Sequence, residues 1–213
     1  PGVRMAAGLA AIFRTPMGTG VFAIEVLYGR MEFEVGALLY TMISSAVAYT
    51  VNGLFVGFRP LFHVPSIATP ALSTYAIYAV LGVAAGLVGT ALPEVFYRVR
   101  DGFRRLPVPV WTKPAIGGLL LGLLALALPQ VLGGGYGWIQ LAIDGKLALH
   151  LLILLLFAKM AAFALTVSSG GSGGVFAPSL FVGAMLGGTF SILFHQMPAI
   201  FVVMPEGRTM TSS

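Results

Sequence analysis

Charge is what this sequence has least of. Only 9% of its 213 residues are Asp, Glu, Lys or Arg and mean hydropathy is +0.95, whereas soluble domains carry roughly 25% charged residues. That scarcity excludes water as the main solvent. Charge is missing altogether from Gly36 to Phe58, Ala71 to Pro93, Pro114 to Ile143 and Met160 to Pro205. Each run exceeds the roughly 20 residues that cross a bilayer as a helix. The last is too long for one span and is interrupted by glycine and proline, so it is expected to fold as more than one segment around a site. Cysteine is absent too, so no thiol chemistry enters, and the redox compartment stays open.

The few charges that remain are unevenly placed. Twelve Lys and Arg stand against seven Asp and Glu, a formal net charge of +5. Arg98, Arg100, Arg104, Arg105 and Lys113 crowd RVRDGFRRLPVPVWTK. The positive-inside bias reads this as a cytoplasmic loop. A nucleic-acid patch is not expected beside so many spans. The chain starts at Pro1 with its apolar pattern already running at Met5, and it turns polar at EGRTMTSS from Glu206. A truncated piece of a larger protein is therefore expected.

Alternation from the basic loop predicts the path. A helix from about Pro16 to Leu27 leads into an inner loop, YGRMEFE, and Pro16 suits a first helical turn. Spans follow at about Phe33 to Gly57, Pro70 to Tyr97 and Ala115 to Leu128, with FRPLFHVPSIATP outside. The chain then breaks at PQVLGGGYGW, where Tyr136 and Trp138 fit an interfacial belt. Leu147 to Thr166 reads as a helix stopped by SSGGSGG, and Phe176 to about His195 as its successor. The fold class is thus all-α, a polytopic integral membrane protein with broken helices and no soluble domain.

The run Ser168 to Pro178, SSGGSGGVFAP, leaves the backbone free to turn its N–H groups toward one point, and the next helix adds its positive end. By the residues alone, an anion site and a plain helix break both remain open. One helix terminus supplies about 0.3 to 2 kcal/mol to an anion, and burying an unpaired ion costs several kcal/mol. Other donors must therefore converge on any ion held there. Neutral amides also suit a site that must release what it binds.

The motif GSGGVFAPSLFVGAMLGG, Gly171 to Gly188, resembles the signature of the CLC family of chloride channels and chloride/proton exchangers. FRTPMGTGVFAIEVLYGR, Phe13 to Arg30, resembles a second segment of that family in matching order. The resemblance implies a homodimer with one anion pathway per subunit, each built of two inverted repeats. Here it implies the end of the first repeat at about 1–58 and the start of the second at about 70–205. It assigns the backbone N–H groups of Val175 and Phe176 to the central chloride or similar small anion, with Gly173 and Gly174 shaping the approach. The family's Gly-Ser-Gly serine, its gating glutamate and its distal tyrosine have no matching motifs here, and are expected upstream of Pro1 and downstream of Ser213.

Many exchangers of the family carry an inner proton glutamate at the position matching Val26. Valine holds no proton, so a passive channel is preferred, with a chloride/proton antiporter as the alternative. Glu25, one residue along the helix, points roughly 100 degrees away and is expected to bond loop amides. Lys159, in an apolar helix roughly 14 Å before Ser168, needs water or a partner. It is expected to face an inner vestibule and draw anions in.

His63, His150 and His195 read as interfacial, so neither a metal nor a cofactor is expected. A competing class is an intramembrane serine hydrolase using Ser172, since GGSGG fits G-x-S-x-G; the required strand and following acid are missing, so no enzyme is expected. The 213 residues alone are expected to be inert, with transport belonging to the parent protein in a bilayer of bacterial plasma-membrane type.

Overall fold

The computed structural model describes residues 2–27, 35–64 and 74–195. The loop YGRMEFE, residues 65–73 of the expected outer loop and the polar tail from Glu206 lie outside them. Every regular element among the described residues is a helix: α1 (Gly2–Phe13), α2 (Pro16–Leu27), α3 (Val35–Val56), α4 (Thr74–Arg105), α5 (Lys113–Ala127), α6 (Tyr136–Ile143), α7 (Leu149–Ser168) and α8 (Phe176–His195), with short 3-10 turns at Val110–Thr112 and Pro129–Val131. The segments Gly36–Val56, Thr74–Arg105, Val110–Ala127, Leu149–Ser168 and Phe176–Phe194 are long and apolar enough to cross a membrane. The chain is an integral, multi-pass membrane protein.

The chain divides into two compact units, Pro1–His63 and Val64–Ser213. In the first, α1, α2 and α3 pack on one another through small side chains, with Ala6, Ala10 and Ala23 fully buried. Without a hydrophobic drive inside lipid, close approach and polar bonds hold helices together. Asn52 Nδ2 accordingly donates to the Ala11 carbonyl at 2.8 Å, and Ser44 Oγ to that of Val3 at 3.0 Å. Arg14, between α1 and α2, sits at φ 55°, and its guanidinium donates to the Arg59 carbonyl at 2.7 Å.

In the second unit α7 is the central element, touching α4, α5 and α8. Phe96 of α4 packs on Phe163 of α7 with ring centroids 5.8 Å apart, and Ser168 Oγ donates to the Phe96 carbonyl at 3.2 Å. Gly117 of α5 lies so close to Ser169 that any side chain there would collide with it. Helices α7 and α8 run antiparallel: Leu152 meets Gly188, while Lys159 meets Phe181 nearer the connecting loop.

Beyond shifts of one or two residues, one boundary and two elements depart from the sequence expectation. The basic segment is not a loop, because α4 continues through Arg98 and Arg100 to Arg105. Glu94 and Arg98 pair one turn apart at 2.6 Å, and Arg104 and Arg105 sit in the last turn, where the helix dipole favours cations. Lys113 Nζ then takes the Phe103 carbonyl at 2.7 Å. A helix does not stop where its apolar stretch stops. The glycine-rich break after α5 contains a further helix, α6, and the start of the chain forms α1; neither was anticipated as an element.

Candidate anion site

The glycine loop begins with a tightly determined stop to α7. Gly170 N–H donates to the Val167 carbonyl at 3.2 Å and Gly171 N–H to the Thr166 carbonyl at 3.0 Å. This paired pattern satisfies carbonyls that α7 leaves open, and it requires a left-handed residue, which Gly170 supplies at φ 99°. At Gly171 a Cβ would lie 2.6 Å from the Thr166 carbonyl oxygen, a backbone atom with nowhere to go. Ser169 Oγ adds a bond to the same carbonyl at 3.0 Å.

Ser172, Gly173, Gly174 and Val175 then run without regular structure to α8. Val175 closes the first turn of α8 by accepting from Ser179 N–H at 3.0 Å and from Ser179 Oγ at 2.7 Å. Pro178 falls within that turn, where a missing N–H breaks no helix bond. The loop therefore carries the positive end of a 20-residue helix. Ser172, Gly173 and Gly174 are exposed, and Val175 is 54% exposed.

Beside the loop lies a cleft of about 330 Å³, walled by Ser172, Gly173 and Gly174 on one side, by Gly133 and Gly134 on another, and by Lys159 and Thr166 of α7. The structure thus brings Gly173, Gly174 and Lys159 to one cavity. Val175 faces a second, apolar cleft of about 260 Å³ between α4 and α8. Phe176 opens α8. Val26 belongs to the first unit, at the end of α2, and is 55% exposed; Glu25 beside it is also exposed, and the loop it was expected to bond lies outside the described residues.

Lys159 is 3% exposed, and its ammonium donates to the carbonyls of Val131 and Gly133, both at 2.7 Å. It also lies 4.9 Å from the centroid of the Phe181 ring, within reach of a cation–π contact. Bonds from a charged donor are worth about 1.5–3 kcal/mol each, on the scale of the cost of burying the charge. The sequence showed that this lysine needed a partner. It did not show which, because the partners are backbone carbonyls 28 and 26 residues away.

The hydrolase alternative fails on distance. His150 stands at the second position of α7 and Ser172 lies beyond its far end, so at least about 27 Å of helix separates them. His195 likewise ends α8, far from the loop that starts it. Among the described residues, neither His150 nor His195 is placed to activate Ser172.

The sequence profile of the family described as "Voltage gated chloride channel" matches residues 3–210. The H(+)/Cl(-) exchange transporter ClcA of Salmonella agona (strain SL483) is 30% identical over 220 residues, covering 98% of this chain and 46% of that protein. ClcA of Yersinia pestis bv. Antiqua (strain Angola) is 32% identical over 191 residues, covering 88% and 40%. This chain spans about half the length of the curated relatives it matches.

Proposed function

This chain belongs to the voltage-gated chloride channel family, and from that premise we propose that the complete protein moves chloride or a similar small anion across the membrane. The backbone amides of Val175 and Phe176 coordinate the ion, and Gly173 and Gly174 shape its approach. The observation that carries this reading is the loop itself. A glycine stop ends one span, the positive end of the next begins beside a cleft, and the intervening residues are exposed. A helix end contributes about 0.3–2 kcal/mol to an anion, so further donors come from other parts of the protein. A homodimer in a bacterial-type plasma membrane belongs to the same proposal, as does a contribution from the Lys159 charge to the potential in the cleft.

Two observations pull the coupling to protons in opposite directions. Val26, at the position of the family's inner proton glutamate, cannot hold a proton and supports passive conduction. The relatives are named H(+)/Cl(-) exchange transporters, which supports exchange at least as well. The test is reconstitution of the complete protein in liposomes with chloride and proton fluxes recorded together. Chloride movement that drives protons uphill selects exchange, and chloride movement without protons selects conduction. No chloride flux in either recording overturns the proposal.

A further inference from the structure

We propose that Lys159 is the built-in donor for the break between α5 and α6: its ammonium latches the Val131 and Gly133 carbonyls and thereby sets the cleft wall that faces Gly173 and Gly174.

The need for a latch arises from the backbone. α5 ends at Ala127 and α6 begins at Tyr136, so the carbonyls between them have no continuous helix ladder to receive donors. Val131 is 3% exposed, so its carbonyl must find a partner within the protein. Nearby amides are already committed, Val131 N–H to the Leu128 carbonyl at 3.2 Å and Leu132 N–H to that of Pro129 at 3.2 Å. A lysine brings three N–H donors on a flexible stem. Two reach the carbonyls of Val131 and Gly133, and the ammonium also lies over the face of Phe181.

The same ring fixes the other end of the break. Gly135, the residue before α6, sits at φ 68° with its Cα against Phe181; a Cβ there would stand 2.5 Å from the ring. Phe181 is fully buried. Lys159 of α7, Phe181 of α8 and the turn at Gly133–Gly135 therefore lock one another. The sequence pattern alone reads Lys159 as facing an inner vestibule and drawing anions in; the structure adds that its ammonium is bonded within the wall of the cleft. For the proposed anion transport, on which only this step rests, the latch keeps the neutral wall of Gly133 and Gly134 at a set distance from the glycine loop.

The test uses the complete protein and two readouts that involve no ion flux. First, a water-soluble N-hydroxysuccinimide acetate is applied to the folded wild-type protein and the sites are mapped by mass spectrometry. Lys146, whose side chain is 65% exposed, is acetylated, and Lys159 is not until the protein is denatured. Second, hydrogen exchange at the amides of Leu132 to Ile139 is compared in Lys159→Met and Lys159→Arg. It accelerates about tenfold or more in Lys159→Met, which leaves both carbonyls unpaired, and stays within about threefold of wild type in Lys159→Arg. Acetylation of Lys159 as fast as Lys146, or wild-type exchange in Lys159→Met, overturns the latch. If Lys159→Met does not fold, the acetylation pattern decides alone. Loss of the transport proposal leaves both readouts unchanged, so the two failures are distinguishable.

Discussion

Two glycine-rich breaks interrupt apolar helices in the second unit, Gly133–Gly135 and Gly170–Gly174, and they solve opposite problems. The first leaves carbonyls outside any helix ladder, and the chain answers with a cation of its own, Lys159. The second satisfies its carbonyls locally, through Gly170 and Gly171, and then presents the amide end of α8 beside an open cleft. Glycine therefore does not by itself mark a ligand site. A break whose polarity the chain neutralises internally is structural; a break that offers one polarity outward is suited to a ligand of the other sign.

The comparison breaks most severely at Gly171. Gly171→Val places its Cβ against the Thr166 carbonyl oxygen, and neither backbone can yield without undoing the stop of α7. The expected loss is about 2–3 kcal/mol of stability and anion flux at background, read by thermal unfolding and by liposome flux of the complete protein. Wild-type melting and flux in this variant would mean that the second break is not held by its own carbonyl pairing.

Gly135→Ala probes the first break and is expected to cost about 1–2 kcal/mol, from a left-handed backbone and a collision with Phe181. Adding Phe181→Leu relieves the collision but not the backbone strain. The double variant should recover part of the melting temperature lost in Gly135→Ala, measured against Phe181→Leu alone. No recovery would place the cost entirely in the backbone and remove the ring from the lock.

The smallest effect is expected at Ser172. Its hydroxyl has no assigned part in an amide-lined site, so Ser172→Ala should keep anion flux within about twofold of wild type and stability within about 0.5 kcal/mol. A loss of flux tenfold or greater would show that side-chain oxygens, not backbone amides, define the second break.

These differences explain what the sequence made legible. The starts of α2 and α8 were readable, because Pro16 marks a first turn and SSGGSGG leaves α8 only one place to begin. The end of α4 was not, since Arg98 to Arg105 mark the edge of the apolar layer and the helix runs on past it. Helix α6 was hidden by its own punctuation: Gly133–Gly135 reads as a loop, although Gly135 is the residue from which a helix starts. The glycine loop was visible as a place for amides. The partners of Lys159 were not, because carbonyls belong to every residue and leave no mark in the side-chain pattern.

The claim that the two breaks differ in what they hold is tested most directly by diffraction from crystals of the complete protein grown in bromide, with the anomalous signal used to find the ion. The account predicts a bromide peak within hydrogen-bonding distance of the backbone nitrogens of Val175 and Phe176, and none displacing the bonds of Lys159 to Val131 and Gly133. A bromide seated on the Lys159 ammonium, with the loop at Gly173 to Phe176 empty, would contradict it.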